Sequence, residues 1–122
     1  MVQGLDVCIE EFKHMNREDK EIIMFKNMLC AFDYFEHFQE PLKEVDKVII
    51  KLKPDYIWES SDFSHAFIGH FEDYKLEGVW INHKKVKKFF SSHLEVMGYK
   101  LHPISKTTVC WNGEPRIWRK VK

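Results

Sequence analysis

Residues 82–98, NHKKVKKFFSSHLEVMG, constrain the fold more than any other stretch of the chain. Asn82 has the side-chain oxygen that caps a free amide in a first helical turn. Gly98 takes a left-handed conformation without steric cost, which ends a helix. Between them Val86, Phe89, Phe90, His93, Leu94 and Met97 recur at helical spacing and form one apolar stripe. The opposite face carries Lys84, Lys85, Lys88, Ser91, Ser92 and Glu95, with Lys87 at its margin. Lysines sit badly at the positive end of a helix dipole. Four of them there point to an anionic partner, set against the plainer reading of a solvated charged face.

Charge along the chain sharpens that choice. The net charge is zero, yet residues 1–78 hold 9 Lys/Arg against 17 Asp/Glu, and residues 79–122 hold 10 against 2. A basic segment of this kind is the usual footprint of phosphate binding. The acidic half weakens non-specific adhesion and offers a face to a protein partner, or the halves neutralise each other across the fold. At 122 residues the chain fits one domain with a real core, and its 15% aromatic content makes that core ring-rich. No apolar run spans a bilayer and no signal-peptide pattern appears, so an intracellular protein is expected. Cys8, Cys30 and Cys110 are scattered and odd in number, which argues against a disulfide framework or a zinc ribbon.

Taken in order, residues 5–15 have a helical pattern, and a second helix is expected from Asn16 to about Phe38. Its wide aromatic stripe includes Phe25, Phe32 and Phe35, read as core or, more sharply, as a homodimer or partner interface. Pro41 suits the first turn of a third helix with Leu42, Val45, Val48, Ile49 and Leu52 inward, and Pro54 stops it. A fourth helix is expected from Asp62, with Phe63, Phe67, Phe71 and Tyr74 in a row. Val79 to Ile81 reads as a very short strand. Thr107–Trp111 and Arg116–Val121 flank Asn112-Gly113 and read as a β-hairpin.

Helix, helix, tiny strand, helix and hairpin is the order of a winged helix. The expected fold is therefore α+β: a winged-helix domain over residues 41–122, preceded by a two-helix extension over residues 1–40. The segment VKKFFSSHLEVMGYKLHPISKTTVCWNGEPRIWRKVK, residues 86–122, resembles the winged-helix module that ends poxvirus-type primase-helicases. Phe89, Leu94, Gly98-Tyr99, Trp111, Gly113, Arg116, Trp118 and Arg119 carry the resemblance. It implies a replication module of a virus, phage or mobile element, here without ATPase or primase motifs.

In such a fold the third helix enters a DNA groove and the wing meets the backbone. The candidate nucleic-acid-binding residues are His83, Lys84, Lys85, Lys87, Lys88, Lys106, Arg116, Arg119 and Lys120. A helix without arginine favours phosphate contacts over base readout, so weakly selective DNA binding is expected. Trp111 and Trp118 are read as core at the root of the wing rather than base-stacking platforms. The alternative function is an adaptor or inhibitor that grips a host nucleic-acid enzyme through the acidic, aromatic N-terminal half. No glycine-rich phosphate loop, HExxH or nucleophile elbow appears, so no enzyme is expected. Asp62, Glu72 and Asp73 are the residues a magnesium nuclease would need. His65 and His70 are poorly spaced for a metal pair, and His14 and His37 join only by folding, so no metal or cofactor is expected. His93 lies on the apolar stripe and is read as a core histidine with a satisfied nitrogen.

Overall fold

The computed structural model describes residues 22–32, 34–65, 68–102 and 116–121. Among the described residues a five-stranded sheet dominates, with two α-helices on one face. The strands are β1 (Ile22–Phe25), β2 (Met28–Phe32), β3 (Tyr56–Ser60), β6 (Tyr99–Leu101) and β7 (Arg116–Lys120), in the order β1-β2-β3-β7-β6. A separate two-stranded ribbon pairs β4 (Asp73–Leu76) with β5 (Val79–Asn82). The described helices are α1 (Pro41–Leu52) and α2 (His83–Val96), and a 3₁₀ turn spans Phe35–His37.

This architecture overturns the winged helix with its two-helix extension; the first of those helices, expected over residues 5–15, lies outside the described residues. Within residues 16–38, the described part forms the β1–β2 hairpin and the 3₁₀ turn rather than a helix. The cause lies in Met28–Phe32, five consecutive buried residues. β2 runs inside the sheet and is covered on both faces, so it has no alternation to betray it. Lys26 turns the hairpin at φ 58°. The sheet joins residues 22–32 to 56–60 and 116–120, so strands from both sides of residue 40 share one layer.

The wing is displaced as well. Arg116–Lys120 forms a strand, but it lies within the sheet, antiparallel to both β3 and β6. The expected partner strand, Thr107–Trp111, and the Asn112-Gly113 turn lie outside the described residues. The fourth helix is also absent where it is described. Residues 61–65 and 68–72 are irregular, Gly69 stands at φ +90°, and Tyr74 is in β4. Its aromatic row still meets in space: Phe63 and Phe71 each stand edge-on to Tyr74, at 5.2 and 5.4 Å between ring centres.

Both α-helices form where the sequence places them. α1 has Pro41 in its first turn, and Lys53 ends it at φ 48°, its amide bonded to the Ile49 carbonyl at 2.8 Å. It links parallel strands β2 and β3, the connection that parallel pairing requires. α2 is capped by Asn82, whose side chain accepts from the Lys84 amide at 3.1 Å. Gly98, at φ +100°, turns the chain into β6. Val86, Phe90 and Leu94 are fully buried, and each such side chain contributes roughly 1.5–3 kcal/mol. Phe89, expected on this buried stripe, is instead 45% exposed.

The main core lies between helices and sheet, where Phe90 meets Phe35 and Phe63 at 5.4 and 5.3 Å. A second cluster, Met28, Cys30, Phe32, Trp58 and Ile117, lies on the opposite face of the sheet. Among the described residues, no helix is long and apolar enough to cross a membrane.

Candidate functional site

β5 runs into α2 without a loop, and this junction carries most of the expected cations. On the β4–β5 ribbon, Tyr74 pairs with Ile81 and Leu76 with Val79; Lys75 pairs with Trp80 and Asp73 with Asn82. Because strand faces alternate, Lys75, Trp80, Asp73 and Asn82 share the outer face. Trp80 is 56% exposed, and the Lys75 ammonium lies over its ring at 5.9 Å. Asn82 then ties this face to the helix, donating to Asp73 Oδ1 at 3.3 Å while capping Lys84.

Lys84, Lys85, Lys87 and Lys88 are all exposed on the first turns of α2. Lys84, Lys85 and Lys88 share the solvent side with Phe89, whereas Lys87 lies toward the core margin. His83 is half-buried, and its Nδ1 is 2.8 Å from the Glu72 carbonyl. A carbonyl only accepts, so Nδ1 carries the proton there. The exposed acids Glu72, Asp73 and Glu77 lie on or beside the same ribbon and moderate its positive potential.

The other candidates do not join this surface. Arg116 is committed elsewhere: Nε donates to Glu59 Oε2 at 2.9 Å, Nη1 donates to Ser91 Oγ at 2.7 Å, and the guanidinium stacks on Trp118 at 5.0 Å. Arg119 is exposed but faces the side of the sheet opposite Trp118. Lys120 is exposed beside the far end of α2, where it pairs with Tyr99. That end lies 8–12 residues beyond the lysines, about 12–18 Å at 1.5 Å rise per residue. Lys106 lies outside the described residues, as does Trp111. Trp118 is buried and donates Nε1 to Glu59 Oε2 at 2.8 Å, a core position.

The three phenylalanines expected at a partner interface are placed as follows. Phe32 and Phe35 are 1% and 2% exposed and belong to the two cores. Phe25 is half-buried against the second core. His93 is half-buried, with Nε2 2.6 Å from Asp46 Oδ1, which is the satisfied nitrogen its position on the stripe calls for.

A second constellation was not legible as a unit. The 3₁₀ turn supplies Glu36 and His37, and the segment leading to β4 supplies His70. One potential ligand atom from each lies within 4.8 Å of the others. Glu36 is 1% exposed, and its Oε2 accepts from the Asp62 amide at 3.3 Å. The two imidazoles stand edge-on at 4.9 Å between ring centres. His70 Nδ1 is 2.5 Å from the Ser64 carbonyl. Gly69 lies against His37, where a Cβ would come within 2.6 Å of Nδ1. The only sequence signal for this grouping was Glu36 adjoining His37; around His70 the aromatic spacing pointed to a helix and not to this grouping. Asp62, Glu72 and Asp73, the acids considered for a magnesium centre, are not among the groups that converge.

Comparison with protein-family models, with curated proteins and with solved structures found no match.

Proposed function

We propose that this chain binds single-stranded nucleic acid with little sequence preference and catalyses no reaction on it. The observation that carries the reading is Trp80, a large ring more than half exposed, standing on a ribbon that leads directly into four exposed lysines. Bases stack on exposed rings whatever their identity, and neighbouring cations follow the phosphates. The dipole of α2 adds positive potential at the same end. Phe89 offers a second exposed ring one turn beyond Lys85. The lysines act as mobile point charges and suit phosphates rather than base edges. Among the described residues, nothing in this surface favours a duplex over a strand whose bases are free to stack. An intracellular setting fits such a ligand.

Fluorescence anisotropy with single-stranded, duplex and forked oligonucleotides at low and high salt tests the proposal. Single strands are expected to bind most tightly, with a modest salt slope because only a few lysines converge. Absence of binding to every oligonucleotide overturns it, as does affinity unchanged in the Trp80→Ala protein.

A further inference from the structure

We infer that Glu36, His37 and His70 form a binding site for a first-row divalent transition cation of the zinc type. Two observations converge on it. The ligand atoms come from two parts of the chain, the adjacent Glu36 and His37 and the distant His70, yet lie within 4.8 Å of one another. Ligands around a tetrahedral zinc stand about 3.4 Å apart, given bonds near 2.0–2.1 Å, so modest side-chain rotation closes the set. The carboxylate is buried at 1% exposure, and a buried carboxylate beside two imidazoles is an environment that a divalent cation neutralises.

The outer contacts favour metal binding as well. The Ser64 carbonyl can only accept, so His70 Nδ1 holds the proton and Nε2 keeps its lone pair. A metal-bound histidine typically gains its orientation from such a bond on its other nitrogen. The Asp62 amide holds Glu36 Oε2 in the same manner. Gly69 completes the arrangement. Its φ of +90° and the 2.6 Å approach of a built Cβ to His37 mean that a side chain there would displace the ring.

The donor set selects the ion. Two imidazoles and one carboxylate suit Zn²⁺, Co²⁺ or Fe²⁺, whereas Mg²⁺ and Ca²⁺ prefer all-oxygen shells. Three protein ligands leave at least one coordination position for water or another small donor. This site is distinct from the Trp80 and lysine surface, so either can fail without the other.

The test uses the untagged full chain, stripped of metal and titrated with Co²⁺, with visible absorption as the readout. One Co²⁺ per chain is expected, with the d–d bands of a low-coordinate site, displaced by Zn²⁺ and not by Mg²⁺. His37→Asn, His70→Asn and Glu36→Gln should each weaken binding by about tenfold or more, at least as much as losing an outer-shell contact. Gly69→Ala should weaken it while every ligand remains. His65→Asn and His83→Asn, whose rings lie 5.7 Å apart outside the cluster, should leave it unchanged. Far-UV circular dichroism of each variant separates lost binding from lost fold. No Co²⁺ or Zn²⁺ binding by the wild-type chain overturns the proposal. So does binding that survives in folded His37→Asn and His70→Asn proteins, or that falls equally in the His65 and His83 variants.

Discussion

The guanidinium of Arg116 donates through Nε to Glu59 Oε2 at 2.9 Å, and the two residues are direct register partners on β7 and β3. Glu59 is fully buried, and the same oxygen accepts from the Trp118 indole. Arg116 reaches on to Ser91 in α2, whose hydroxyl donates to the Lys87 carbonyl at 2.9 Å. The bond chain therefore links two strands to the helix that carries the lysines.

Removing one member of this pair strands the other. Arg116→Met leaves a carboxylate in the core with the Trp118 indole as its one described donor, and is expected to cost about 3–5 kcal/mol. Glu59→Gln with Arg116→Met should recover part of that loss, because no buried charge remains. Urea denaturation of the three proteins measures it. Equal stability of wild type and the Arg116→Met protein would show that the ion pair contributes nothing to the fold. Oligonucleotide affinity should stay near wild type in any variant that folds, since Arg116 faces the core.

Trp80 and the lysines should separate by their salt dependence. Trp80→Ala is expected to cost about 1–3 kcal/mol of single-strand affinity, the range for one stacked base. Its salt slope should remain, because no cation is lost. Lys84, Lys85 and Lys88 changed together to alanine should lower the slope by about one unit for each phosphate contact removed. Anisotropy titrations across a salt series distinguish the two effects. A Trp80 variant that also flattens the slope would contradict separate stacking and charge contributions.

Elements that ended in a strong local signal were readable from sequence, and elements defined by distant partners were not. Asn82 and Gly98 bracket α2, and Pro41 and Pro54 bracket α1, so both helices stand where their caps and prolines put them. Met28–Phe32 gave no such cue. Its partners are Ile22–Phe25 and Tyr56–Ser60, and burial on both faces erased the alternation that marks a strand. The spacing of Phe63, Phe71 and Tyr74 mimicked a helix because all three rings reach one core, by irregular chain rather than by helical turns. The cations at the start of α2 were legible as a patch. Their association with Trp80 was not, since it depends on β5 pairing with β4. Arg116 looked like a phosphate ligand until its register partner proved to be Glu59.

Tyr99 gives the fold an alkaline limit. Its hydroxyl donates to the Pro54 carbonyl at 2.5 Å, and burial, aided by the nearby Asp55 charge, pushes its pKa from 10.0 to about 12. The folded state thus holds a proton that the unfolded state releases near pH 10. Stability from this group is complete below pH 10 and declines toward pH 12, by about 1.4 kcal/mol per pH unit. Burial also raises the pKa of Tyr74 and of Tyr34, whose hydroxyl donates to Glu44, so both add to the decline. Tyr99→Phe should be less stable at neutral pH, with the Pro54 carbonyl unpaired, yet lose less between pH 10 and 12. Denaturant midpoints across that range check this; parallel curves for wild type and variant would contradict it.

Asn82 serves the ribbon and the helix together, which sets how its substitutions should rank. Its Oδ1 caps the Lys84 amide, and its Nδ2 donates to Asp73 directly across the β4–β5 pair. Asn82→Ala removes both bonds and is expected to cost about 0.5–2 kcal/mol, the range for losing a cap. Asn82→Ser keeps an acceptor for the Lys84 amide and should stay closer to wild type. Asn82→Asp keeps the cap and favours the helix dipole, but it sets a carboxylate against Asp73, so it should fall below serine at low salt and recover at high salt. Thermal melts at two ionic strengths resolve the order. If alanine melted with wild type, Asn82 would not be what fixes the start of α2, and the continuity from Trp80 to the lysines would rest on the strand pairing alone.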